Sequence, residues 1–180
     1  GSDVYLCWQR FVDRHDSLMA SCRRGDEVVW EREISDGGEV LHPVILAHGG
    51  AIWYAWSEYA RENWRILARC YRDGRWGEVL TVASGEALFF PRLFTWQGRL
   101  HVIWTEQHKG SAAAVLCPLT EAGPGAAETV SVVGEAYRAG AAEGGDGNLY
   151  VAYDGFDGKQ YKLFARARTA AGWSEEIVVS

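Results

Sequence analysis

Two similar segments decide the fold prediction: "GGAIWYAWSEY", residues 49–59, and "QGRLHVIWTEQ", residues 97–107. In each, apolar residues alternate along the chain and the run ends in an aromatic residue that precedes a polar stretch. A strand with this alternation directs Ile52, Tyr54 and Trp56 to one face and Ala51, Trp53 and Ala55 to the other. Both faces are apolar, so we expect both to be covered by neighbouring structure.

The resemblance between the two segments belongs to a repeat that runs through the whole chain. The last aromatic residues of four such segments, Trp8, Trp56, Trp104 and Tyr153, are 48, 48 and 49 residues apart. Further markers follow a similar spacing: Cys22, Cys70 and Cys117; Gly38-Glu39, Gly85-Glu86 and Gly134-Glu135; and Pro43, Pro91 and Arg138. A fixed period of this length predicts a repeat architecture.

Within a unit, the sequence predicts four short antiparallel strands. The segment "AIWYAW" is followed by a second run, "RILARCY", then by the Asp-Gly turn in "RDGRW", and then by "EVLTVAS" and "PRLFTW". Four strands per unit with both sheet faces buried are typical of a β-propeller blade. No segment sustains the 3.6-residue period of a helical repeat. We therefore predict one all-β domain, 1–180, with blades at about 1–42, 43–90, 91–137 and 138–180.

The length of the chain predicts an incomplete set of strands. Four units of 48 residues would need 192 residues, whereas the chain has 180. The first unit opens at "DVYLCW", which matches "AIWYAW", the second strand of the blade at 43–90. The inner strand that precedes it in that blade, "PVILAH", has no counterpart in the first unit, so one inner strand is missing. Three explanations are open: a fragment of a larger ring, a half-ring completed by association, or residues left out of this sequence. Because uncovered blade faces are large apolar patches, we expect self-association or completion by further blades.

Composition narrows the classes of partner. The formal net charge is −6 and the positive charges are scattered, which argues against a nucleic-acid surface. Apolar runs are only a few residues long, too short for a membrane-spanning helix. Thirteen per cent of the residues are aromatic, including nine Trp, which favours strands or a stacking surface.

The segment "HPVILAHGGAIWYAWSEY…WRILARCYRDGRWGEVL" resembles the repeats of sialidase-like, Asp-box β-propellers. The resemblance covers most of the chain, but the Asp-box is degenerate at Asp73-Gly74-Arg75-Trp76 and at Ala171-Gly172-Trp173. The turn followed by Trp is also similar to fucose-binding lectin propellers. The resemblance implies the fold and favours an extracytoplasmic location. Sialidases use an arginine triad, a Tyr/Glu nucleophile pair and an acid Asp, and no motif here assigns these roles to numbered residues.

Candidate ligand-binding residues lie in the loops that enter the inner strands and follow the second strands, which converge on one face of a propeller. They are carboxylates and aromatic or imidazole rings: Glu39, His42, Glu58, Tyr59, Glu86, Phe90, Glu106, Glu135, Tyr137 and Asp154. Rings stack on the apolar faces of sugars and carboxylates accept hydrogen bonds from hydroxyls, so the pattern favours a non-catalytic module that binds a glycan or a protein surface. Two alternatives stay open: a sialidase-like glycoside hydrolase with carboxylates as acid and base, and a scaffold whose polar loops bind no small molecule.

Other residues that often carry chemistry are interpreted as structural. His101 occupies the position of Tyr5, Trp53 and Tyr150, which predicts a packed core histidine. The four cysteines are predicted to be small buried hydrophobes rather than disulfide partners. The histidines show no paired metal spacing, and no phosphate-cradling or nucleophile motif is found, so no metal and no cofactor is predicted.

Overall fold

The computed structural model describes residues 2–35 and 37–180, and residues 1 and 36 of the predicted first blade lie outside them. The described residues form strands, turns and loops without a helix, and the strands build four antiparallel sheets. The predicted fold class, an all-β propeller of about four blades, is confirmed.

Each sheet is a stretch of consecutive strands. The first contains β1 (Asp3–Val12), β2 (His15–Arg24) and β3 (Glu27–Glu33). The second contains β4 (Glu39–His48), β5 (Ala51–Ala60), β6 (Asn63–Arg72), β7 (Arg75–Trp76) and β8 (Leu80–Gly85). The third contains β9 (Ala87–Trp96), β10 (Arg99–His108), β11 (Ser111–Thr120), β12 (Gly123–Pro124) and β13 (Glu128–Thr129). The fourth contains β14 (Ala136–Glu143), β15 (Leu149–Phe156), β16 (Tyr161–Thr169), β17 (Gly172–Trp173) and β18 (Ile177–Val178).

Tight two-residue turns set the register within each sheet. The turns at residues 49–50, 61–62 and 97–98 have positive φ at both central positions, the geometry whose twist matches antiparallel strands. Because the turn after β5 has two residues, the pairing runs outward symmetrically from Ala60 opposite Asn63 to Ile52 opposite Tyr71. The same geometry joins β10 to β11, where His108 lies opposite Ser111.

Each inner strand carries a β-bulge near its start. The pairing register shifts after Leu41 in β4 and after Tyr137 in β14, and it shifts in β10 opposite the corresponding part of β9. The residues with left-handed backbone at the three bulges are His42, Phe90 and Arg138, with φ of 53°, 55° and 50°. The equivalent of His42 and Phe90 is therefore Arg138. The prediction that paired Tyr137 with them and matched Arg138 to the prolines was wrong by one residue.

The predicted equivalence of Cys22, Cys70 and Cys117 is also wrong by one residue at Cys117. Cys22 pairs with Tyr5 and Cys70 with Trp53, whereas the equivalent His101 pairs with Pro118. Cys117 therefore faces the opposite side of its strand. The cysteines are all free; Cys22, Cys70 and Cys117 are buried and Cys7 is half-buried, as predicted for packing residues. Burial raises the pKa of the Cys7 and Cys117 thiols to about 11.

Successive sheets cover each other's apolar faces. Between the first and second sheets, Leu18 and Ile34 pack in one cluster with Tyr54 and Trp56. The opposite face of the second sheet packs against the third, where Trp53 shares a cluster with Leu100 and Leu119. The third and fourth sheets meet through a cluster that includes Phe94, Val151 and Tyr153. Both faces of each central blade are buried, as the alternating pattern predicts.

An arginine reinforces two of these junctions. Arg69 donates from Nε to the carbonyl of Gly77 at 2.8 Å and from Nη1 to the carbonyl of Ile34 at 3.4 Å, while it lies over the Trp76 ring at 5.3 Å. Ile34 follows the first sheet, so this side chain joins two blades.

The same arrangement recurs at the junction of the third and fourth sheets. Arg166 donates to the carbonyls of Ser174 at 2.9 Å and Val130 at 2.5 Å, and it lies over Trp173 at 5.3 Å. The tryptophans of the degenerate Asp-box turns thus act as platforms for an arginine that links adjacent blades.

The arc is open at both ends in the described part of the chain. The first sheet has three strands and no inner strand beside β1, as predicted. Val4 and Leu6 of β1 are 51% and 40% exposed, and Tyr150 of β15 is 47% exposed, whereas the equivalent Trp53 is 3% exposed. Substantial packing joins successive sheets but does not join the described strands of the fourth sheet to those of the first. Self-association through these faces stays a prediction.

The inner strands begin earlier than the predicted blade limits. Residues 43 and 91 lie within β4 and β9, so these sheets begin about four residues before the predicted boundaries. Residues 2–35 and 37–180 include no helix of the length and apolarity required to cross a membrane.

The substitution Trp56→Ala tests the packing between blades. Trp56 is completely buried between the first two sheets, so we expect the free energy of unfolding to fall by about 3–5 kcal/mol. The matched control is Trp8→Ala, because Trp8 has the same place in the first sheet but lies on its open face and is half-buried. Urea denaturation of both variants measures the difference. Equal losses would contradict the assignment of these two faces.

His101 is a buried core residue, as predicted, and it stacks on Phe94 with ring centroids 5.3 Å apart. Burial lowers its pKa below the ordinary value of 6.5. The imidazole of the unfolded chain therefore takes up a proton before that of the folded chain as the pH is lowered through 6.5, and the free energy of unfolding should fall over this range. His101→Phe should show a smaller fall in chemical denaturation over this range. An unchanged pH dependence would count against a role for this imidazole.

Candidate functional site

The start of each inner strand and the end of the following second strand lie side by side. Glu39 pairs with Tyr59 in the second sheet, and Ala87 pairs with Gln107 in the third. The two sets of loops predicted to converge therefore do meet at one edge of each sheet. We call this edge of the arc the upper edge.

The three bulge residues form what we call the inner-strand group: His42, Phe90 and Arg138. The rings of His42 and Phe90 come from neighbouring blades, and their centroids are 4.2 Å apart at an interplanar angle of 49°. Left-handed backbone is uncommon for residues other than glycine and carries a conformational cost. The bulges thus hold the three side chains at defined positions on the innermost strands.

Five buried side-chain polar atoms have no hydrogen-bond partner among the described residues, and they belong to Ser21, His42, Tyr54, Ser57 and Arg65. Two of them lie on adjacent strands near the start of β4: Nδ1 of His42, and Oγ of Ser57, which is opposite Leu41, the residue before His42. The equivalent of Ser57 in the third sheet is Thr105, whose Oγ1 accepts a hydrogen bond of 3.1 Å from the backbone N–H of Arg138. Burial, followed by the positive charge of Arg92, lowers the pKa of His42. The imidazole is therefore favoured in its neutral form, with one nitrogen able to donate and the other to accept.

The third member of the group is ion-paired. Nε of Arg138 lies 2.8 Å from Oδ2 of Asp154, and both side chains are in contact with solvent. Asp154 was predicted as a site residue, and it occupies the position of Ser57 and Thr105 in the fourth sheet. The pair places a positive and a negative charge next to the inner strands without burying either.

A row of aromatic rings extends from His42 and Phe90 toward the outer part of the upper edge. The distances between successive ring centroids are 6.2 Å from Phe90 to Phe89, 4.7 Å from Phe89 to Trp64, and 5.3 Å from Trp64 to Tyr59. Of these residues, Tyr59 and Phe90 were predicted and Trp64 and Phe89 were not. All are partly exposed and together form the aromatic row between the second and third sheets.

Tyr137 does not belong to this row. Its nearest aromatic neighbour is Tyr161 of its own blade, at 6.3 Å, and Tyr161 in turn lies 5.3 Å from Phe156. By strand register, the residue of the third sheet equivalent to Tyr137 is Phe89, which lies one residue before the bulge residue Phe90. The structure therefore separates Tyr137 from the His42 and Phe90 rings with which it was grouped.

Glu58 is a buried carboxylate held by two donors. Its side chain is 1% exposed, it accepts a hydrogen bond of 3.2 Å from Nε1 of Trp56, and it forms an ion pair with Arg65 on the adjoining strand. Gly38 leaves space for it, because a Cβ at that position would lie 2.5 Å from Cγ of Glu58. A side chain at position 38 would therefore displace the carboxylate.

A cleft of about 620 Å³ opens above Glu58 between the first and second sheets. Its wall contains Arg14, Arg61 and Arg65 together with the carboxylates of Glu39 and Glu58. The cleft brings together two of the predicted acidic residues. Three arginines that sequence analysis did not select share it with them.

Glu106, the equivalent of Glu58, has different surroundings. It accepts from Nε1 of Trp104 at 3.4 Å, but Ala113 takes the place of Arg65 on the adjoining strand. It lines a separate cleft of about 440 Å³ with His108 and Ser111. The two predicted glutamates are therefore parallel features of neighbouring blades and do not form one acid–base pair within a single cleft.

The remaining glutamates, Glu86 and Glu135, occupy different positions. Glu86 lies one residue before the equivalent of Glu39, and its Oε2 is 3.3 Å from Nδ1 of His108. The backbone carbonyl of Glu135 accepts from the N–H of Phe156 at 3.0 Å, which fixes the entry to the fourth sheet. No group of three or more potential metal-ligating side chains occurs among residues 2–35 and 37–180.

Solved structures with a similar fold include an endo-arabinase from Bacteroides thetaiotaomicron, with a TM-score of 0.63 at 11% identity. That match covers 99% of this chain and 77% of the other. A mannose phosphorylase from Leishmania mexicana has a TM-score of 0.55 at 12% identity, over 99% of this chain and 68% of the other. A sucrose-6-phosphate hydrolase from Lactobacillus gasseri has a TM-score of 0.53 at 10% identity, over 95% and 45%.

At these identities the likeness shows a shared fold. No protein-family model matches the sequence. No curated protein is significantly similar to it in sequence.

Glu58→Gln tests the buried ion pair. The amide keeps the size of the side chain but leaves Arg65 without its charged partner, so we expect a loss of about 1–3 kcal/mol in the free energy of unfolding. Glu106→Gln is the matched control, because its position has no arginine opposite and should lose less. Thermal or urea unfolding gives both values. A larger loss for Glu106→Gln would refute the assigned roles.

Proposed function

We propose that this protein is a non-catalytic saccharide-binding module whose site is the inner-strand group and the adjoining aromatic row. The observation that carries the proposal is a pair of buried polar atoms without a hydrogen-bond partner among the described residues, Nδ1 of His42 and Oγ of Ser57. They lie on adjacent strands of the blade whose His42 ring packs against Phe90. Leaving such atoms unpaired costs free energy that a ligand can recover.

The chemistry of a sugar matches this arrangement. A hydroxyl group donates and accepts hydrogen bonds, so adjacent hydroxyls can satisfy a neutral imidazole and a serine hydroxyl together. The apolar face of a pyranose or furanose ring can pack on Phe90 and continue along Phe89 and Trp64. Arg138 and Asp154 lie beside the group and present further charged donors and acceptors.

The structural neighbours support a saccharide as the ligand class. Three of them are named as an endo-arabinase, a mannose phosphorylase and a sucrose-6-phosphate hydrolase. Enzymes with such names act on carbohydrates, which makes an oligosaccharide a reasonable first ligand to test. The fold alone does not determine the ligand.

The carboxylates favour binding over hydrolysis. Glycoside hydrolysis uses two carboxyl groups on opposite sides of the scissile bond, one as acid and one as base or nucleophile. Here Glu58 is buried in an ion pair with Arg65, and Asp154 is paired with Arg138. Both carboxylates are committed to guanidinium partners, so the site is better suited to recognition.

The test is an oligosaccharide array followed by titration calorimetry with the best ligand. Phe90→Asn should weaken binding at least tenfold, because asparagine keeps the left-handed backbone but removes the ring. Ser57→Ala should also weaken binding while the free energy of unfolding stays equal or rises, because it removes a buried unpaired hydroxyl. Tyr150→Ala is the control: this exposed ring lies on the open face of the fourth sheet.

Two results would overturn the proposal. One is the absence of binding to any arrayed oligosaccharide at millimolar concentration. The other is hydrolysis of fluorogenic arabinosides, mannosides or sialosides by the wild-type protein that is lost in Glu58→Gln or Glu106→Gln. The second result would favour the glycoside hydrolase alternative.

A further inference from the structure

An apolar recess lies at the edge opposite the inner-strand group, between the second and third sheets. This lower cleft has a volume of about 610 Å³ and is lined by His48, Trp53, Arg72, Arg99, Leu100 and Leu119, among others. The turns at residues 49–50 and 97–98 form its rim, and the glycines there have no side chains that would narrow the entrance. It is separate from the proposed saccharide site.

The next junction along the arc shows what fills the equivalent space. His48 ends β4 opposite Ala51, and Trp96 ends β9 opposite Arg99, so the two residues are equivalent. Trp96 extends across to the fourth sheet, where its Nε1 donates to the carbonyl of Gly147 at 3.1 Å. An indole therefore lies at this place in the junction between the third and fourth sheets, 5.6 Å from the ring of His101. In the junction between the second and third sheets the two ring types are exchanged: His48, whose Nδ1 lies 3.2 Å from Oγ1 of Thr95, lines the cleft together with Trp53, the equivalent of His101.

The connection between the first two strands of the blade is longer in the fourth sheet than in the third. The connection between β14 and β15 spans residues 144–148, and Glu143 before it accepts from the N–H of Gln97 at 2.9 Å. The third sheet has a two-residue turn at the corresponding place, residues 97–98, which does not cover the lower cleft. The longer connection therefore contacts the third sheet at the next junction, whereas the two-residue turn leaves the lower cleft accessible.

The walls define the chemistry of an occupant. Trp53, Leu100 and Leu119 are buried members of one apolar cluster and form a rigid floor. Arg72 is neutralised by Glu121, at 2.8 Å, and donates to the carbonyl of Gly49 at 2.6 Å. Arg99 at the rim is exposed and forms no ion pair with any described residue. The cleft therefore combines an apolar floor with one uncompensated positive charge.

We propose that the lower cleft binds a small planar aromatic carboxylate, with the ring on the floor of Trp53, Leu100 and Leu119 and the carboxylate on Arg99. A flat ring packs on the apolar floor, and a guanidinium donates two parallel hydrogen bonds to a carboxylate. The assignment is independent of saccharide binding at the upper edge.

Titration calorimetry with 2-naphthoate and its neutral analogue 2-naphthamide tests the proposal on the whole chain. We expect 2-naphthoate to bind at least tenfold more tightly than 2-naphthamide. Arg99→Ala should weaken 2-naphthoate at least tenfold and leave 2-naphthamide unchanged, and because Arg99 is exposed the variant should fold. Arg75→Ala, which removes an exposed arginine from the nearby turn of the second sheet, should keep the wild-type affinity for 2-naphthoate.

A second variant fills the cleft. His48→Trp introduces the residue found at the equivalent position and should abolish binding of both probes while oligosaccharide affinity is unchanged. The proposal is overturned if neither probe binds at millimolar concentration, if Arg99→Ala binds 2-naphthoate as wild type does, or if folded His48→Trp retains binding. If His48→Trp fails to fold, the Arg99→Ala comparison alone decides. Loss of oligosaccharide binding with normal 2-naphthoate binding would refute only the saccharide site.

Discussion

Each blade has two apolar faces, and the need to cover both of them controls the rest of the structure. A sheet of this kind cannot be stable alone, because removing apolar surface from water is the main source of its stability. Trp56 and Trp104 are almost fully buried in equivalent positions, so neighbouring blades repeat the same solution. The strand ends at each junction also have carbonyl groups to satisfy. Arg69 donates such a hydrogen bond at the junction of the first and second sheets, and Arg166 does at the junction of the third and fourth. Each guanidinium also packs on a tryptophan.

This constraint leaves only the edges of the sheets for ligands. The faces are occupied by packing, and their residues vary little in character from blade to blade. At the edges the repeat is looser: Ser57 stands where the third sheet has Thr105, His48 where it has Trp96, and Arg65 where it has Ala113. Each substitution changes a local hydrogen bond, volume or charge without disturbing the blade. The two proposed sites are places where the repeat departs from its own pattern.

The sequence predicts the blades, the missing inner strand and the buried His101 because these depend on the two-residue alternation and the 48-residue period. It misplaces Cys117, Glu86 and Tyr137 by one residue. Repeated residues were matched between blades by residue type, whereas the bulges and the lengths of the connections determine which residues are equivalent in the paired strands. The pairing of Glu58 with Arg65 was missed, although it was accessible: a two-residue turn at 61–62 places residues 58 and 65 opposite each other. The aromatic row depends on packing between blades, for which a single sequence contains no signal.

The left-handed bulges alone do not identify a binding site, because three blades share them and they are therefore a property of the fold. The distinction lies in hydrogen bonding. At the junction of the third and fourth sheets, the hydroxyl of Thr105 is satisfied by the N–H of Arg138, whereas at the junction of the second and third the hydroxyl of Ser57 is not. An unpaired buried group costs about 1–3 kcal/mol, and about 1.4 kcal/mol corresponds to tenfold in affinity. A ligand that satisfies both Ser57 and His42 can thus recover one to several orders of magnitude in affinity at that junction. The lower cleft opens at the same junction, so both proposed sites lie at the boundary between the second and third blades.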